Sequence, residues 1–266
     1  MKKHFLYIIL LLALPLSAKT LPESETHLSS LFEALKTMPE KEECMNIHKQ
    51  IETELIAALQ NDSSFNYPFA SLLFLGKIYS DDNLLRIYSW NVPFADGTFF
   101  YGCIIQQKDK IHLLKIKETA CKPPINKQIS QDNWYGALYF RAIPTVYKKK
   151  TYYTLLGWAG NDDLTNVKLI DALSFDEMGK MQFGMPVFDM GKTTQHRVLF
   201  EYGDQYTMSL DYDKRKRQII FDRLAPSSPK YEGLYTYYGP SFIYDAFQLK
   251  RKEWQFKEDV DARNEE

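Results

Sequence analysis

The stretch from Trp134 to Asn166 constrains the fold of this chain more than any other segment. It consists of two aromatic and aliphatic runs separated by three consecutive lysines, WYGALYFRAIPTVYKKKTYYTLLGWAGNDDLTN. Aromatic and β-branched side chains favour strands, and adjacent like charges require water, so the sequence predicts a β-hairpin whose turn is Lys148-Lys149-Lys150. The apolar positions are too continuous for strict alternation, which indicates that both faces of the hairpin are covered. Pro144 lacks a backbone donor and places the first strand at an edge or a bulge.

Short apolar runs and polar turns continue along the rest of the chain. The predicted strands are Lys77–Ser80, Leu84–Trp90, Thr98–Gln106, Ile111–Lys117, Lys168–Phe175, Gln182–Phe188, Arg197–Tyr202, Gln205–Tyr212, Gln218–Leu224, Tyr231–Tyr238, Phe242–Leu249 and Glu253–Val260. Many short strands with regularly spaced turns are typical of an antiparallel meander, as in a sandwich, a barrel or a propeller-like fold. We therefore predict a mainly β fold.

Two helical patterns precede these strands. The first has apolar residues at helical spacing, with Ser24 or Thr26 as cap and Pro39 as stop; the second starts in the acidic run Glu40–Glu43. The apolar positions are Leu28, Leu31, Phe32, Leu35 and Met38, then Cys44, Ile47, Ile51, Leu55, Ala58 and Leu59. The pattern predicts a helical hairpin over residues 19–64, packed on an antiparallel β domain over residues 65–266. The alternative is a separate helical interaction module.

Residues 1–18 have the pattern of a secretory signal peptide. Lys2 and Lys3 precede the apolar run Phe5–Leu16, and Ser17-Ala18 supplies small residues for cleavage. That run is too short to span a bilayer, and no later run is long enough. We expect a mature chain without a transmembrane segment, exported to the periplasm or secreted.

The chain has three cysteines, Cys44, Cys103 and Cys121. An oxidising compartment permits a disulfide, and Cys103 and Cys121 fall in the same β-rich region. The alternative is that all three are free, buried thiols. Cys44 lies on the apolar face of the second helix and is interpreted as a buried thiol in either case.

Two segments, GWAGNDDLTNVKLID at residues 157–171 and YYGPSFIYDAFQLKRKEWQFKEDVDARN at residues 237–264, resemble an uncharacterised family of exported bacterial proteins. The resemblance covers most of the mature chain. It implies a role in the cell envelope or outside the cell. No established activity comes with it, so it assigns no catalytic residue.

The predicted ligand-binding residues are Trp158, Asn161, Asp162, Asp163 and Tyr238. Aromatic rings beside glycines can present a face to a sugar or peptide, and Gly157 and Gly160 permit sharp backbone geometry around Trp158. The competing interpretations are core packing for the rings and solvated turns for the Asn-Asp-Asp loop. Calcium binding at that loop, or at Asp259, Asp261 and Asn264, is a further alternative, although neither matches the twelve-residue calcium loop.

Basic residues cluster at three predicted turns, Lys148-Lys149-Lys150, Lys214-Arg215-Lys216-Arg217 and Lys250-Arg251-Lys252. Charges commonly solubilise turns and protect sheet edges. The alternative is that the turns converge into a basic patch on a near-neutral protein, which would attract an anionic glycan or lipid head group. No nucleic-acid partner is predicted for an exported chain of this composition.

No catalytic motif is recognisable. His27, His48, His112 and His196 lack metal-ligand spacing, and there is no HExxH, GxSxG, phosphate-loop or Rossmann pattern. The sequence predicts no cofactor, no metal and no catalytic residue. We predict a non-catalytic binding protein for an envelope glycan, peptide or protein. The alternatives are a hydrolase with a dispersed site, for which Glu201, Asp204, Asp211 and Asp213 are candidates, or an assembly factor that docks through the N-terminal helices.

Overall fold

A computed structural model describes residues 19–37, 40–116, 122–147 and 149–262. The predicted signal peptide, Met38, Pro39, Cys121, Lys148 and Asn264 lie outside these residues. The helices are α1, Leu21–Leu35, and α2, Lys41–Leu59. The strands are β1, Gly76–Tyr79; β2, Arg86–Pro93; β3, Phe99–Gln107; β4, Lys110–Leu113; β5, Ile129–Ser130; β6, Leu138–Tyr147; β7, Lys150–Gly160; β8, Thr165–Phe175; β9, Met181–Phe183; β10, Phe188–Asp189; β11, Thr194–Gln195; β12, Arg197–Gly203; β13, Leu210–Asp213; β14, Gln218–Pro226; β15, Tyr238–Lys250; and β16, Glu253–Lys257.

The fold is mainly β, with 45% strand and 19% helix, which confirms the predicted fold class. The strands form three sheets that do not close into a barrel within the described residues. The helix-side sheet has the order β1-β2-β3-β4. The middle sheet has the order β5-β9-β8-β7-β6, with β12 also paired to β8, and the outer sheet has the order β11-β10-β16-β15-β14-β13. All pairs within these sheets are antiparallel except β10 with β16.

The helices and sheets stack as four layers. The helices bury their apolar faces with Tyr88 and Trp90 of the helix-side sheet. The opposite face of that sheet packs on the middle sheet, whose far face packs on the outer sheet. Along β7, Tyr153 belongs to the core shared with the helix-side sheet, whereas Tyr152 belongs to the core shared with the outer sheet. The hairpin of β6 and β7 is thus covered on both faces, because successive strand residues point to opposite sides.

The first helix of the predicted hairpin starts earlier than the predicted caps place it. Thr20, not Ser24 or Thr26, is the N-cap of α1, and a reciprocal capping box with Glu23 satisfies the first backbone donors. Pro22 lies in the first turn, where its missing N–H costs nothing. Buried Arg86 then fastens the connection from α2 to the sheets, since its Nη1 donates to the carbonyl oxygens of Ser64 at 3.0 Å and Tyr67 at 2.6 Å.

Several predicted strands need correction. The segment 231–238 forms 3-10 turns at Pro229–Tyr231 and Tyr235–Tyr237 rather than a strand. The predicted partner of β12 was the following strand, but β12 pairs with β8 and β13 joins the outer sheet. Gly184, at φ +90°, separates β9 from β10 within the single strand predicted over 182–188. A left-handed glycine turns the chain there, which allows β10 to leave the middle sheet.

A buried ion pair lies in the middle sheet. Arg197 Nε donates to Asp171 Oδ2 at 2.9 Å, and both side chains are fully buried. Tyr135 donates its hydroxyl to the same carboxylate oxygen at 2.8 Å. Burial raises the pKa of Asp171, and the guanidinium of Arg197 opposes that rise. The pair also fastens the segment that precedes β5, because Arg197 Nη1 donates to the carbonyl oxygens of Pro124 and Lys127.

Cys44 and Cys103 are buried, and neither takes part in a disulfide within the described residues. Cys103 lies in the core between the helix-side and middle sheets. Of the two alternatives left open for Cys103, the structure has the buried thiol, while Cys121 is outside the described residues.

Candidate functional site

A cavity of about 280 Å³ lies between β12 of the middle sheet and the inner face of β14, β15 and β16 in the outer sheet. It is lined by Met190, Val198, Leu199, Phe200, Glu201, Phe221, Asp222, Arg223, Leu224, Tyr235, Tyr238, Asp245, Phe247 and Phe256. We call it the inter-sheet cavity. Its volume suits one large side chain or a single ring of a ligand.

Phenylalanine rings form the floor of the inter-sheet cavity. The centroid of Phe221 lies 4.7 Å from that of Phe200 and 5.6 Å from that of Phe247. Phe256 stacks on Phe221 with an interplanar angle of 21°. A floor of packed rings offers an apolar surface whose shape is held by its neighbours, which favours apolar or aromatic ligand groups.

A charged fork lies at the side of the inter-sheet cavity. Arg223 donates to Asp245 through Nε at 2.9 Å and through Nη2 at 2.5 Å. The hydrogen bond with Asp245 raises the pKa of Arg223. The Arg223 side chain is 35% exposed, and within the described part of the chain its Nη1 makes no hydrogen bond. The fork therefore holds a guanidinium whose remaining N–H groups can donate to a ligand carboxylate or carbonyl oxygen.

The carboxylates that line the inter-sheet cavity are all engaged. Glu201 accepts hydrogen bonds from Lys122 at 2.8 Å and from Asn161 at 3.3 Å. Asp222 accepts from the backbone N–H of Ser209 at 2.5 Å. Asp245 accepts both hydrogen bonds from Arg223. A cavity with its acids already paired is better arranged for binding than for general acid–base chemistry.

Phe242 is the most exposed large apolar side chain beside this cavity. Asp222 pairs with Tyr244 and Leu224 pairs with Pro240, so a bulge in β15 lies opposite Arg223. Phe242 lies in this bulge at φ +62°, and its side chain is 94% exposed. The left-handed region costs a residue with a side chain roughly 1–2 kcal/mol. Bulges re-aim side chains beside functional sites, and such backbone strain is concentrated there.

Other exposed apolar residues surround the same end of the outer sheet. Together with Phe242 they are Leu234, Tyr235, Tyr237, Ile243 and Tyr244. We call these residues and the inter-sheet cavity the aromatic end. The rings of Tyr231 and Tyr237 stack with centroids 4.0 Å apart. Contiguous exposed apolar residues of this kind mark interaction surfaces more often than isolated ones do.

Trp158 does not line the inter-sheet cavity. It is half-buried, and its ring meets Phe99 edge-on with centroids 6.1 Å apart. The flanking glycines serve close packing rather than the sharp geometry we expected. A Cβ on Gly160 would come within 2.6 Å of the Phe99 ring.

The Asn161-Asp162-Asp163 loop is a turn closed by its own side chains. Asp162 Oδ1 accepts from the backbone N–H groups of Leu164 at 2.9 Å and Thr165 at 2.8 Å. Partial burial opposes ionisation of Asp162, but these hydrogen bonds outweigh it and lower its pKa. The carboxylate of Asp163 lies against Gly97. The loop meets the edge of the inter-sheet cavity through the hydrogen bond that Asn161 donates to Glu201.

Tyr238 is the one predicted ligand-binding residue that lines the inter-sheet cavity. Its hydroxyl accepts from the backbone N–H of Gly233 at 3.0 Å, and its ring lies 5.0 Å from that of Tyr235. Tyr237, the residue before Tyr238, lies in a 3-10 turn and not in the strand predicted over 231–238.

The three basic turns come together at the opposite end of the strands. Tyr152 donates its hydroxyl to the carbonyl oxygen of Lys252 at 2.8 Å, which joins the β6–β7 hairpin to the β15–β16 turn. Gln248 Nε2 donates to the carbonyl oxygen of Lys216 at 3.0 Å, which joins the β13–β14 turn to the same region. We call residues 149–150, 214–217 and 250–252 the basic end. Lys148 is outside the described residues.

The sequence did not point to Phe200, Arg223, Asp245 or Phe242. These residues lie on β12, β14 and β15, and they meet only through the pairing and packing of those strands. One signal was available, since Asp222-Arg223 is a charged pair inside the otherwise apolar run that becomes β14. Glu201, a candidate for a dispersed hydrolase site, does line the inter-sheet cavity.

In the described ranges, no group of three or more His, Cys, Asp or Glu residues is placed to bind a metal ion. No helix among the described residues has the length and apolar character needed to cross a bilayer. Comparison with protein-family models, with curated proteins and with solved structures finds no match for this chain.

Proposed function

We propose that this chain is an exported, non-catalytic binding protein that captures a peptide or protein segment at its aromatic end. The carrying observation is Phe242, an apolar ring held in solvent at positive φ beside the inter-sheet cavity. The signal-peptide pattern of residues 1–18 and the resemblance to exported bacterial proteins support the export part of the proposal.

Energetics favour a partner at Phe242. Fully burying a phenylalanine side chain contributes about 1.5–3 kcal/mol, which exceeds the roughly 1–2 kcal/mol of backbone strain. In the free protein that strain has no apolar burial to offset it. Exposed aromatic residues near a pocket are also the type that dominates binding energy in protein interfaces.

A peptide or protein fits the aromatic end better than a glycan. Leu234 and Ile243 add aliphatic surface, which contributes to protein interfaces but offers no ring face for a sugar. The free donors of Arg223 suit a backbone carbonyl or a carboxylate of a peptide. We infer that one large apolar side chain of the partner enters the inter-sheet cavity while Phe242 packs against the partner's surface.

The other functions that the sequence left open have less support. The engaged carboxylates disfavour a hydrolase at the inter-sheet cavity. Docking through the helices is disfavoured because the predicted apolar face of the helical hairpin is buried against the helix-side sheet.

Peptide display tests the proposal. Random peptides would be selected on the immobilised protein and measured against Phe242→Asp, since aspartate tolerates left-handed backbone. Leu73→Asp is the matched control, because Leu73 is 80% exposed but belongs to the segment before β1. We expect selected peptides to contain a large apolar anchor and to lose at least tenfold affinity for Phe242→Asp but not for Leu73→Asp.

Two outcomes would overturn the proposal. One is a selection that enriches no peptide. The other is equal affinity of the selected peptides for the wild type and Phe242→Asp. An oligosaccharide array run in parallel would assign the site to a glycan if sugars alone bind and Phe242→Asp abolishes their binding.

A further inference from the structure

We propose that the basic end is a second interaction surface, which docks the protein on an anionic lipid bilayer. It carries nine described cations, two from residues 149–150, four from 214–217 and three from 250–252 (2 + 4 + 3). The whole chain has a formal net charge of −1, so these cations are a local concentration rather than a general excess. This inference is independent of peptide capture at the aromatic end.

Hydrogen bonds hold the three turns next to one another. Besides the contacts of Lys252 and Lys216 described above, the backbone N–H of Leu249 donates to the carbonyl oxygen of Arg217 at 3.1 Å. The turns therefore project from one end of two stacked sheets. Several cationic turns side by side can meet a plane of phosphate groups together, and each contributes to the attraction.

The backbone of these turns points to a requirement for positive charge. Lys149, Arg217, Arg251 and Lys252 have φ values of +66°, +53°, +49° and +76°. Glycine or asparagine occupies the left-handed region at lower cost, and either would close a turn there. Each of the three turns instead keeps a basic residue in the strained position.

Few acidic residues neutralise the basic end within the described chain. Lys150 lies 3.7 Å from Glu177, with side chains 66% and 93% exposed, so that pair is weak. Asp213 accepts from the backbone N–H groups of Arg215 at 2.8 Å and Lys216 at 3.0 Å; these hydrogen bonds, together with the nearby charges of the two side chains, lower its pKa. Every described cation of the basic end except Lys216 is solvent-exposed, so these groups can meet an anionic surface.

Exposed apolar side chains border these cations. Val146, near the end of β6, is 54% exposed, and Met178, next to Glu177, is 77% exposed. Apolar side chains beside lysines and arginines are the composition of surfaces that lie in a bilayer interface. A soluble polyanion would make no use of these apolar groups, which is why we infer a lipid surface.

Vesicle binding tests this inference. The protein would be titrated with vesicles of equal parts phosphatidylglycerol and phosphatidylcholine, and with vesicles of phosphatidylcholine alone. The test variant replaces Lys214, Arg215 and Arg217 with glutamine. The matched control replaces Lys49, Lys192 and Lys230, which are exposed lysines outside the basic end. A second test variant, Arg251→Asn with Lys252→Gly, suits the left-handed backbone and guards against a folding defect in the first.

We expect binding only to the anionic vesicles, weakening as salt is added. Each removed charge lowers vesicle affinity about fivefold, so the triple variant loses about a hundredfold and the double variant about twenty-five-fold, while the control is unchanged. Equal binding to both vesicle types, or an equal loss in the control, would overturn the inference. Inorganic polyphosphate that binds more tightly than the anionic vesicles would also overturn it and assign the surface to a soluble polyanion.

Discussion

The aromatic end and the basic end share strands of the outer sheet. Both contain strained backbone, but they place different kinds of side chain on it. Both hold residues other than glycine at positive φ, Phe242 in a strand bulge and Lys149, Arg217, Arg251 and Lys252 in hairpin turns. At the aromatic end the strained position displays an apolar ring. At the basic end the strained positions display charge. The difference indicates that side-chain chemistry, not turn geometry, explains the residues found at these positions.

The largest expected effect tests the buried ion pair in the middle sheet, which belongs to neither end. Arg197→Leu leaves Asp171 buried without its cation, which costs about 3–5 kcal/mol of unfolding free energy. Urea denaturation would measure it. The double variant Arg197→Leu with Asp171→Leu should be less destabilised, because no buried charge remains. If the single variant lost less than the double, the ion pair would not stabilise the pairing of β12 with β8 in the middle sheet.

A smaller effect tests the packing around Trp158, which lies outside the aromatic end. Gly160→Ala places a methyl group against Phe99, so we expect a loss of about 1–3 kcal/mol in unfolding free energy. Gly157→Ala is the control, because its nearest neighbour is 3.1 Å away and the methyl group is more easily accommodated. Equal thermal stability of the two variants would mean that Trp158 and Phe99 are not packed as described.

Glycine substitutions at positive-φ positions test the function of each end separately. Phe242→Gly and Lys252→Gly should each raise the unfolding free energy by about 1 kcal/mol, because glycine adopts positive φ without strain. Phe242→Gly should weaken peptide binding alone, and Lys252→Gly should weaken vesicle binding alone. Ile243→Gly, at a neighbouring exposed strand position, should not be stabilised. If either glycine variant impaired both activities, the two ends would not be independent.

The smallest effect comes from a residue at neither end. Burial opposes ionisation of Glu25, but hydrogen bonds from Ser71 and Tyr67 outweigh it and lower its pKa. A lowered carboxylate pKa stabilises the fold above the unfolded value of about 4.3, and this stability is lost as pH falls through the lower folded value. Glu25→Gln should cost below about 1 kcal/mol at neutral pH and flatten stability between about pH 5 and 3. Its peptide and vesicle binding should equal those of the wild type.

Local patterns predicted the layers of this fold well. The Trp134–Asn166 stretch forms the β6–β7 hairpin, and continuous apolar positions correctly indicated a sheet covered on both faces. The apolar faces of the two helices were also predictable, because helical periodicity repeats within a few residues. Which strands pair with each other was harder to predict from the sequence. The turn after β12 resembles a hairpin turn, yet burial of Val198 and Tyr202 places β12 against β8 instead.

The candidate sites also differ in how far the sequence predicts them. Each basic turn is a short run of consecutive residues and is visible in the sequence. That the turns come together depends on strand pairings such as β14 with β15. The inter-sheet cavity joins side chains from β12, β14, β15 and β16, which no spacing rule relates. The positive φ of Phe242 follows from a register shift between two strands, so only the three-dimensional pairing reveals it.

Strand β15 runs from Tyr238 to Lys250, through the bulge at Phe242, from one end of the stack to the other. Phe242 and Lys250 are eight residues apart on this strand (250 − 242), roughly 26 Å at about 3.3 Å per residue. Electrostatic potentials in physiological salt decay over about 8 Å, so this spacing is about three screening lengths. A partner held at Phe242 would thus be insulated from the charge of a bilayer at the basic end. Its affinity would then be the same on membranes of any lipid charge.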